Sequence, residues 1–211
     1  MHQEPALKDL ESMEDVWEAF RPDLIEVESQ ITKHLESHAP LINTVAGHIF
    51  ASGGKRIRPL LLILCARLSG FLQKDFLLLG SLVGFIHTPT LLHDDVLDEA
   101  DLPRRQPTAR KIWGNQASIL VGDYLYSKAM ALIATFHNHG INETLADACR
   151  KMAEGEVLQL CANSQPHLSE ADYLKIVEYK TAALVAASCE VGAIVGGASV
   201  EEQASLYRFG Y

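Results

Sequence analysis

Apolar residues recur along the chain at the spacing of helices, and no segment shows the strict alternation of a half-buried strand. Glycine, proline and N-capping residues separate the apolar segments. We predict helices over residues 14–37 (with a break near Pro22), 41–51, 59–68, 76–97, 116–136 and 142–161. Ser169 with Asp172, and Ser199 with Glu202, have the form of capping boxes and predict two further helices. The pattern therefore predicts one all-α domain spanning residues 1–211.

Three carboxylates stand at the end of the apolar segment 76–97. They are Asp94, Asp95 and Asp98, in the run His-Asp-Asp-Val-Leu-Asp-Glu. The C-terminal end of a helix carries partial negative charge, so more anions there are unfavourable unless cations bind. Mg²⁺ takes carboxylate, water and phosphate oxygens as ligands. The cluster predicts either a Mg²⁺ site or a solvated acidic helix end, and these residues alone leave both open.

Basic residues lie on both sides of the acidic cluster in the sequence. The run Gly-Gly-Lys-Arg-Ile-Arg-Pro (53–59) places three cations at the start of a predicted helix. Free backbone N–H groups with Lys and Arg suit a phosphate or diphosphate, whereas the alternative is a solvated basic turn. A second basic group follows the acidic cluster and consists of Arg104, Arg105, Arg110 and Lys111. Acidic and basic groups this close together favour metal-bridged binding of a diphosphate.

The overall charge narrows the function classes further. A net charge of −9 over 211 residues argues against non-specific binding to nucleic acid. It suits anionic substrates only where a bound metal reverses the local field.

The four cysteines lie in apolar helical segments without metal-ligand spacing, which indicates reduced core residues of a cytoplasmic protein. Glycine, histidine, proline or charge interrupts the apolar stretches, so we expect no transmembrane helix.

Five segments of the chain carry distinctive motifs. They are Gly-Gly-Lys-Arg-Ile-Arg-Pro (53–59), His-Thr-Pro-Thr-Leu-Leu-His-Asp-Asp-Val-Leu-Asp (87–98), Pro-Thr-Ala-Arg-Lys-Ile-Trp-Gly-Asn-Gln-Ala-Ser-Ile-Leu-Val-Gly-Asp-Tyr-Leu (107–125), Gly-Glu-Val-Leu-Gln-Leu (155–160) and Tyr-Lys-Thr-Ala (179–182). In order and composition they resemble the trans-prenyl diphosphate synthases, and the similarity extends from residue 25 to Tyr211. The resemblance implies an isoprenoid-synthase-type bundle of antiparallel helices around a central cavity.

The resemblance also implies an activity. It is that of a Mg²⁺-dependent prenyltransferase, which condenses isopentenyl diphosphate with an allylic diphosphate of the farnesyl or geranyl type. In this family, aspartates that match Asp94, Asp95 and Asp98 bind the Mg²⁺ ions that grip the leaving diphosphate. The allylic C–O bond ionises, the double bond of isopentenyl diphosphate attacks, and a proton is lost.

The resemblance assigns further binding residues. Those matched to isopentenyl diphosphate are Lys55, Arg58 and His87, with Arg104 or Arg105. Lys180 and Thr181 match the catalytic pair that contacts the allylic diphosphate, and Gln159 matches a polar residue lining the same cavity. Outside these motifs, the expected roles would be a hydrogen-bonded core histidine for His87 and a helix-surface cation for Lys180.

Two departures from the family pattern affect the binding loop and the product. Pro103 replaces an arginine usually assigned to the allylic diphosphate, and Arg105 stands where the family has glycine. Pro89 and Thr90 occupy the positions where bulky residues of short-chain relatives close the pocket. Because both are small, we expect a deep channel and a long-chain polyprenyl product. Pro89 is also expected to kink its helix or to cost ~3 kcal/mol.

The family's second aspartate-rich motif, expected directly after Tyr211, is not in this sequence. We therefore expect a truncated chain or gene, or a proteolytic fragment. Three functions stay open: the homodimeric synthase, pairing through the helix 116–136; a truncated or regulatory non-catalytic subunit; and a terpene cyclase. The basic segment 53–59 argues against the cyclase, because cyclases need only one diphosphate site.

Overall fold

The computed structural model describes residues 11–71, 73, 76–98, 107–163 and 167–211. Within these ranges the chain is helical and contains no strand. The helices are α1 (Met13–His34), α2 (Pro40–Ala51), α3 (Ile57–Leu68), α4 (Leu77–Leu97), α5 (Ala109–Ala134), α6 (His139–Ala162), α7 (Glu170–Val177), a π-helical turn (Glu178–Ala182), α8 (Ala183–Gly196) and α9 (Val200–Gly210). The all-α prediction is confirmed.

Two helices form the centre of the bundle. α4 packs against α1, α3 and α5, and its fully buried side chains include Leu82, Phe85 and Leu92. α8 packs against α3, α6 and α9. Its approach to α3 requires glycine at position 192, because a β-carbon there would collide with the Leu62 carbonyl oxygen and lie 2.8 Å from Cys65 Cβ. The core therefore places the ends of α3, α4 and α8 at fixed separations.

Most predicted helices agree with the structure to within three residues, but several local predictions were wrong. Pro22 does not interrupt α1, which is continuous from Met13 to His34. α5 has a short first segment from Ala109, with Thr108 as its N-cap, that the sequence did not predict; Gly114 is non-helical (φ 84°) and kinks the helix, and the predicted start at Gln116 lies just after this kink. Cys161 is exposed, whereas the other three cysteines are buried; no disulfide joins any of the four, all of which are described.

Both capping sites form at the predicted positions. Ser199 and Glu202 make a reciprocal capping box at the start of α9. At α7 the Ser169 hydroxyl accepts a hydrogen bond from the Asp172 N–H and donates one to the Asp172 carboxylate. Both helices therefore begin where the sequence pattern predicted.

Pro89 lies inside α4, and the helix is continuous through it. The proline ring is buried, and both neighbours hydrogen-bond to preceding carbonyls of the same helix. Thr88 Oγ1 donates to Gly84 O at 2.9 Å and Thr90 Oγ1 to His87 O at 2.7 Å. α4 is therefore continuous past Pro89, which has no N–H to donate to the Phe85 carbonyl four residues earlier.

One helix in the described part of the chain, α5, is long and apolar enough to cross a membrane. Its most apolar 18-residue stretch has a mean hydropathy of 1.2, and 39% of that stretch is buried inside the bundle. A core helix or a helix covered by a protein partner meets the same criteria of length and composition. The expectation that the chain has no transmembrane segment stays a prediction.

Candidate active site

A cavity of about 830 Å³ lies between the start of α3, the C-terminal half of α4 and the start of α5. The segment 52–59 lines one side of it, and residues 83–98 of α4 contribute the other. Six of the predicted site residues line this cavity: Lys55, Arg58, His87, Asp94, Asp95 and Asp98. The fold thus brings the basic and acidic motifs together around one space.

The basic side of the cavity is built on an unusual turn. Gly53 and Gly54 have positive φ angles of 72° and 150°, and Arg56 is left-handed at φ 47°. Arg56 acts as the N-cap of α3 without a side-chain capping hydrogen bond, so no side chain satisfies the first N–H groups there. The turn therefore presents backbone donors together with cationic side chains.

The three cations of this turn have different environments. Arg56 is tied to the protein: its Nε donates to Glu28 Oε1 at 3.2 Å and its Nη2 to Phe50 O at 3.0 Å. Lys55 is exposed, and it makes no ion pair with any residue that the structure describes. The Nε of Arg58 is buried with no hydrogen-bond partner among those same residues. Burial also lowers the pKa of the Arg58 guanidinium.

An unsatisfied guanidinium donor is costly to bury, at about 1–3 kcal/mol. Such a group is expected where an anion binds, because a phosphate oxygen supplies the missing acceptor. Lys55 lies three residues away on the same turn and adds a second positive charge. This side of the cavity is therefore suited chemically to a diphosphate.

A partly buried network joins the acidic side to α6 and the π-helical turn. Lys180 Nζ lies 2.8 Å from Glu156 Oε2 and 3.3 Å from Asp94 Oδ2, and the three side chains are between 18% and 23% exposed. Burial lowers the pKa of Lys180, but the two carboxylates outweigh this effect and the net pKa lies above the usual value. The pKa of Glu156 is raised by burial and by the charge of Asp94, against the opposing effect of Lys180.

The backbone explains how Lys180 reaches this position. It lies in the π-helical turn, and π-helical turns within α-helices often mark functional sites. A β-carbon at position 155 would lie 2.7 Å from the Lys180 backbone nitrogen, so only glycine allows α6 to approach this closely. Sequence reasoning assigned Lys180 but missed Glu156. The available signal was a carboxylate three residues before Gln159, on the same face of α6.

His93, the residue before Asp94, fixes the end of α4 against α5. Its Nε2 lies 3.3 Å from both the Ile119 carbonyl oxygen and Asp123 Oδ1. A β-carbon at Gly122 would lie 2.5 Å from the same nitrogen, so the imidazole fills the space where a side chain would be. The acidic cluster is thereby positioned relative to α5 as well as to the π-helical turn that carries Lys180.

The acidic residues fit Mg²⁺ in donor type but do not form a complete set of ligands. Among the residues described, no group of three or more His, Cys, Asp or Glu side chains is arranged to hold a metal ion. Mg²⁺ usually takes one or two carboxylates and fills its remaining positions with water and substrate phosphate. The carboxylates of Asp94, Asp95 and Asp98 line the cavity beside the basic turn, where such phosphates would bind.

The remaining predicted residues lie elsewhere or outside the described part of the chain. Gln159 is half-buried on α6 and Thr181 is exposed in the π-helical turn. Pro89 and Thr90 lie within α4 but are not among the residues that line the cavity. The loop residues Pro103, Arg104 and Arg105 lie outside the described residues, so their predicted roles stay predictions.

Comparison with known proteins agrees with this geometry. A family model described as Polyprenyl synthetase matches residues 39–211. The octaprenyl diphosphate synthase of Haemophilus influenzae is 40% identical over 203 residues, which cover 96% of this chain and 62% of that protein. The chain thus spans less than two thirds of the length of that synthase.

Solved structures show the same similarity. The decaprenyl diphosphate synthase of Rhodobacter capsulatus superposes with a TM-score of 0.89 at 42% identity, covering 93% of this chain and 61% of that one. A polyprenyl synthase of Caulobacter crescentus, complexed with calcium and isoprenyl diphosphate, gives 0.90 at 41% identity, covering 94% and 61%. The resemblance found in the sequence motifs is therefore confirmed, and the chain belongs to the polyprenyl synthetase family.

Proposed function

We propose that this protein is a Mg²⁺-dependent prenyltransferase that condenses isopentenyl diphosphate with an allylic diphosphate to make a long-chain trans-polyprenyl diphosphate. The observation that carries the proposal is the cavity in which Arg58, with its unsatisfied Nε, and Lys55 face a cluster of three aspartates. The reaction uses two diphosphates, and a cavity with a basic side and an acidic, metal-binding side offers a separate place for each. The relatives named octaprenyl and decaprenyl diphosphate synthases support this substrate class and the long product.

On the basic side, the proposed ligand is the diphosphate of isopentenyl diphosphate. Arg58 offers planar guanidinium donors to phosphate oxygens, and Lys55 offers a mobile point charge. His87 lines the same cavity from α4. The uncapped N–H groups at the start of α3 add donors that favour an anion. These groups hold the nucleophilic substrate with its hydrocarbon end towards α4.

On the acidic side, Asp94 and Asp95 with Asp98 are the proposed ligands of Mg²⁺. The ion would neutralise the allylic diphosphate and stabilise it as a leaving group. Lys180 supplies a positive charge beside Asp94, and the Thr181 hydroxyl follows in the same turn. When the allylic C–O bond breaks, its electron pair stays with the diphosphate, and Lys180 helps to stabilise the charge that develops there.

Chain growth follows from the same arrangement. The double bond of isopentenyl diphosphate supplies the electron pair of the new C–C bond, and a proton leaves the isopentenyl unit. The product again carries an allylic diphosphate, so the cycle repeats until the channel ends. We assign the length limit to the part of α4 around Pro89 and Thr90 from the family match of these positions, which lie outside the lining of the cavity described above.

Subunit pairing and location complete the proposal. We assign a homodimer to the outer face of α5, where Ile119, Leu120 and Tyr126 expose apolar surface. We assign the protein to the cytoplasm, because none of its four cysteines forms a disulfide.

A non-catalytic subunit that binds diphosphate beside a complete partner is the second candidate. The observation favouring it is that the carboxylate of Asp94, a proposed metal ligand, is already paired with a protein cation, Lys180 Nζ at 3.3 Å. The two functions differ in product formation, because only the synthase turns over without a partner.

The test is to incubate the purified chain with Mg²⁺, labelled isopentenyl diphosphate and farnesyl diphosphate, and to size the extracted products. We expect a ladder of long polyprenyl diphosphates. Binding of both substrates without product would replace the synthase by the non-catalytic subunit. Folded protein that binds neither diphosphate would contradict both functions.

A further inference from the structure

The shortest ionic contact to Lys180 is made by Glu156, a residue that no step of the proposed reaction uses. Lys180 Nζ to Glu156 Oε2 is 2.8 Å, against 3.3 Å to Asp94 Oδ2. All three side chains are mostly shielded from water. One ammonium therefore interacts with two carboxylates, of which only Asp94 lines the cavity beside the basic turn.

The position of Glu156 is set by backbone packing. Gly155 allows α6 to contact the backbone of the π-helical turn, where an added β-carbon would lie 3.0 Å from Tyr179 Cβ and 3.1 Å from Lys180 Cα. Glu156 is the next residue of α6 and reaches Lys180 across this contact. The arrangement is thus set by the packing of α6 against the π-helical turn.

The two carboxylates have different consequences for a metal ion. A cation that binds Asp94 must displace the Lys180 ammonium from the same carboxylate or share it. If Asp94 were the only partner of Lys180, the ammonium and the metal would compete for it directly. A second carboxylate, that of Glu156, keeps the ammonium in place when Asp94 binds a metal ion instead.

We propose that Glu156 is a positioning residue, which holds the Lys180 ammonium so that Asp94 is able to bind Mg²⁺ while Lys180 faces the allylic diphosphate. This inference rests on the proposed function, because it concerns the metal and the allylic substrate of the same site. Glu156 acts through Lys180 and does not itself touch the substrate.

The test uses Glu156→Gln, which keeps the shape of the side chain and removes its charge. The probe is farnesyl thiodiphosphate, a slowly reacting allylic analogue, whose binding is measured by equilibrium dialysis at increasing Mg²⁺. We expect the Mg²⁺ concentration for half-maximal binding to rise roughly tenfold, the scale of one charge-assisted hydrogen bond. Glu156→Asp keeps the charge, so its Mg²⁺ concentration for half-maximal binding (the Mg²⁺ midpoint) is expected to lie between those of the wild type and of Glu156→Gln.

Repeating the measurement in a Lys180→Met variant distinguishes a positioning role of Glu156 from a general loss of structure. In Lys180→Met no ammonium competes for Asp94, so adding Glu156→Gln is expected to leave the Mg²⁺ midpoint unchanged within about twofold, the error expected of independent effects. Isopentenyl diphosphate binding, on the far side of the cavity, serves as the control for an intact fold. A purely structural role for Glu156 would shift both backgrounds equally.

The outcomes are distinct. An unchanged Mg²⁺ midpoint in Glu156→Gln, or an equal shift in the Lys180→Met background, overturns the positioning role and leaves the proposed function intact. A wild-type chain that binds no farnesyl thiodiphosphate at any Mg²⁺ concentration overturns the proposed function and the positioning role with it. A midpoint shift that requires Lys180 supports the inference.

Discussion

Replacing Arg58 with methionine is expected to stabilise the ligand-free protein and to weaken its binding of isopentenyl diphosphate. Arg58 Nε is buried without a hydrogen-bond partner among the described residues, and a buried unsatisfied donor costs about 1–3 kcal/mol. Methionine keeps the apolar stem and lacks the charge. We therefore expect the free energy of unfolding to rise by about 1 kcal/mol, the lower end of that range, because lost packing offsets part of the gain.

The same substitution removes the guanidinium from the proposed diphosphate site. Hydrogen bonds to charged groups contribute about 1.5–3 kcal/mol. Each 1.4 kcal/mol is a tenfold change in affinity, so binding should weaken roughly 10- to 100-fold. Urea unfolding at pH 7 measures the stability, and equilibrium dialysis with labelled isopentenyl diphosphate measures the affinity.

Arg56→Met is the matched control, because Arg56 is two residues away but already has protein partners, Glu28 and Phe50. It should lower the free energy of unfolding by about 1 kcal/mol, since its hydrogen bonds are lost without compensation. Opposite signs of the stability change at positions 56 and 58 are the expected signature. If the Arg58→Met variant is less stable than the wild type and binds isopentenyl diphosphate with the same affinity, Arg58 is a structural residue and does not bind the diphosphate.

Three further predictions test the packing, the electrostatics and the product. Gly192→Ala should lower the free energy of unfolding in urea by at least about 2 kcal/mol, because the new methyl group collides with α3. The control is Gly47→Ala, which should be neutral or stabilising because no atom lies within 4 Å of the added β-carbon. Equal effects of the two substitutions would refute this account. Burial raises the pKa of Glu190, so its ionisation opposes folding as the pH rises through its unfolded value. Glu190→Gln should therefore increase the melting temperature at pH 7 but not at pH 3, and a gain of equal size at both pH values would exclude the ionisation. Pro89→Tyr should shorten the polyprenyl product on thin-layer chromatography, and an unchanged length would place the limit elsewhere.

Local sequence signals predicted the helices well where capping and periodicity dominate. They failed at Pro22, which lies on the exposed side of α1, where water is able to bond the carbonyl that the proline leaves without a donor. They also missed the short segment of α5 before Gly114, because that glycine adopts a positive φ and resembles a helix boundary in sequence. Neither outcome is encoded in periodicity.

The candidate site was predictable only in part. Lys55, Arg58 and Asp94 belong to motifs whose composition already indicates diphosphate chemistry. Glu156 belongs to the motif 155–160, but its partner could not be predicted, because its contact with Lys180 depends on a glycine-mediated approach between two elements and on a π-helical turn. Such contacts arise from tertiary packing, which sequence spacing does not specify.

The imidazole of His93 links α5 directly to the acidic cluster at the end of α4. The ring is wedged at Gly122, and the residue that follows it in the chain is Asp94. Asp123, which faces the same ring nitrogen, is itself exposed on α5. A macromolecule that binds α5 and shifts this helix therefore also shifts His93, and with it Asp94, the first residue of the aspartate cluster. By thermodynamic reciprocity, a ligand gripped by the aspartates must then alter the affinity of α5 for that macromolecule by the same factor.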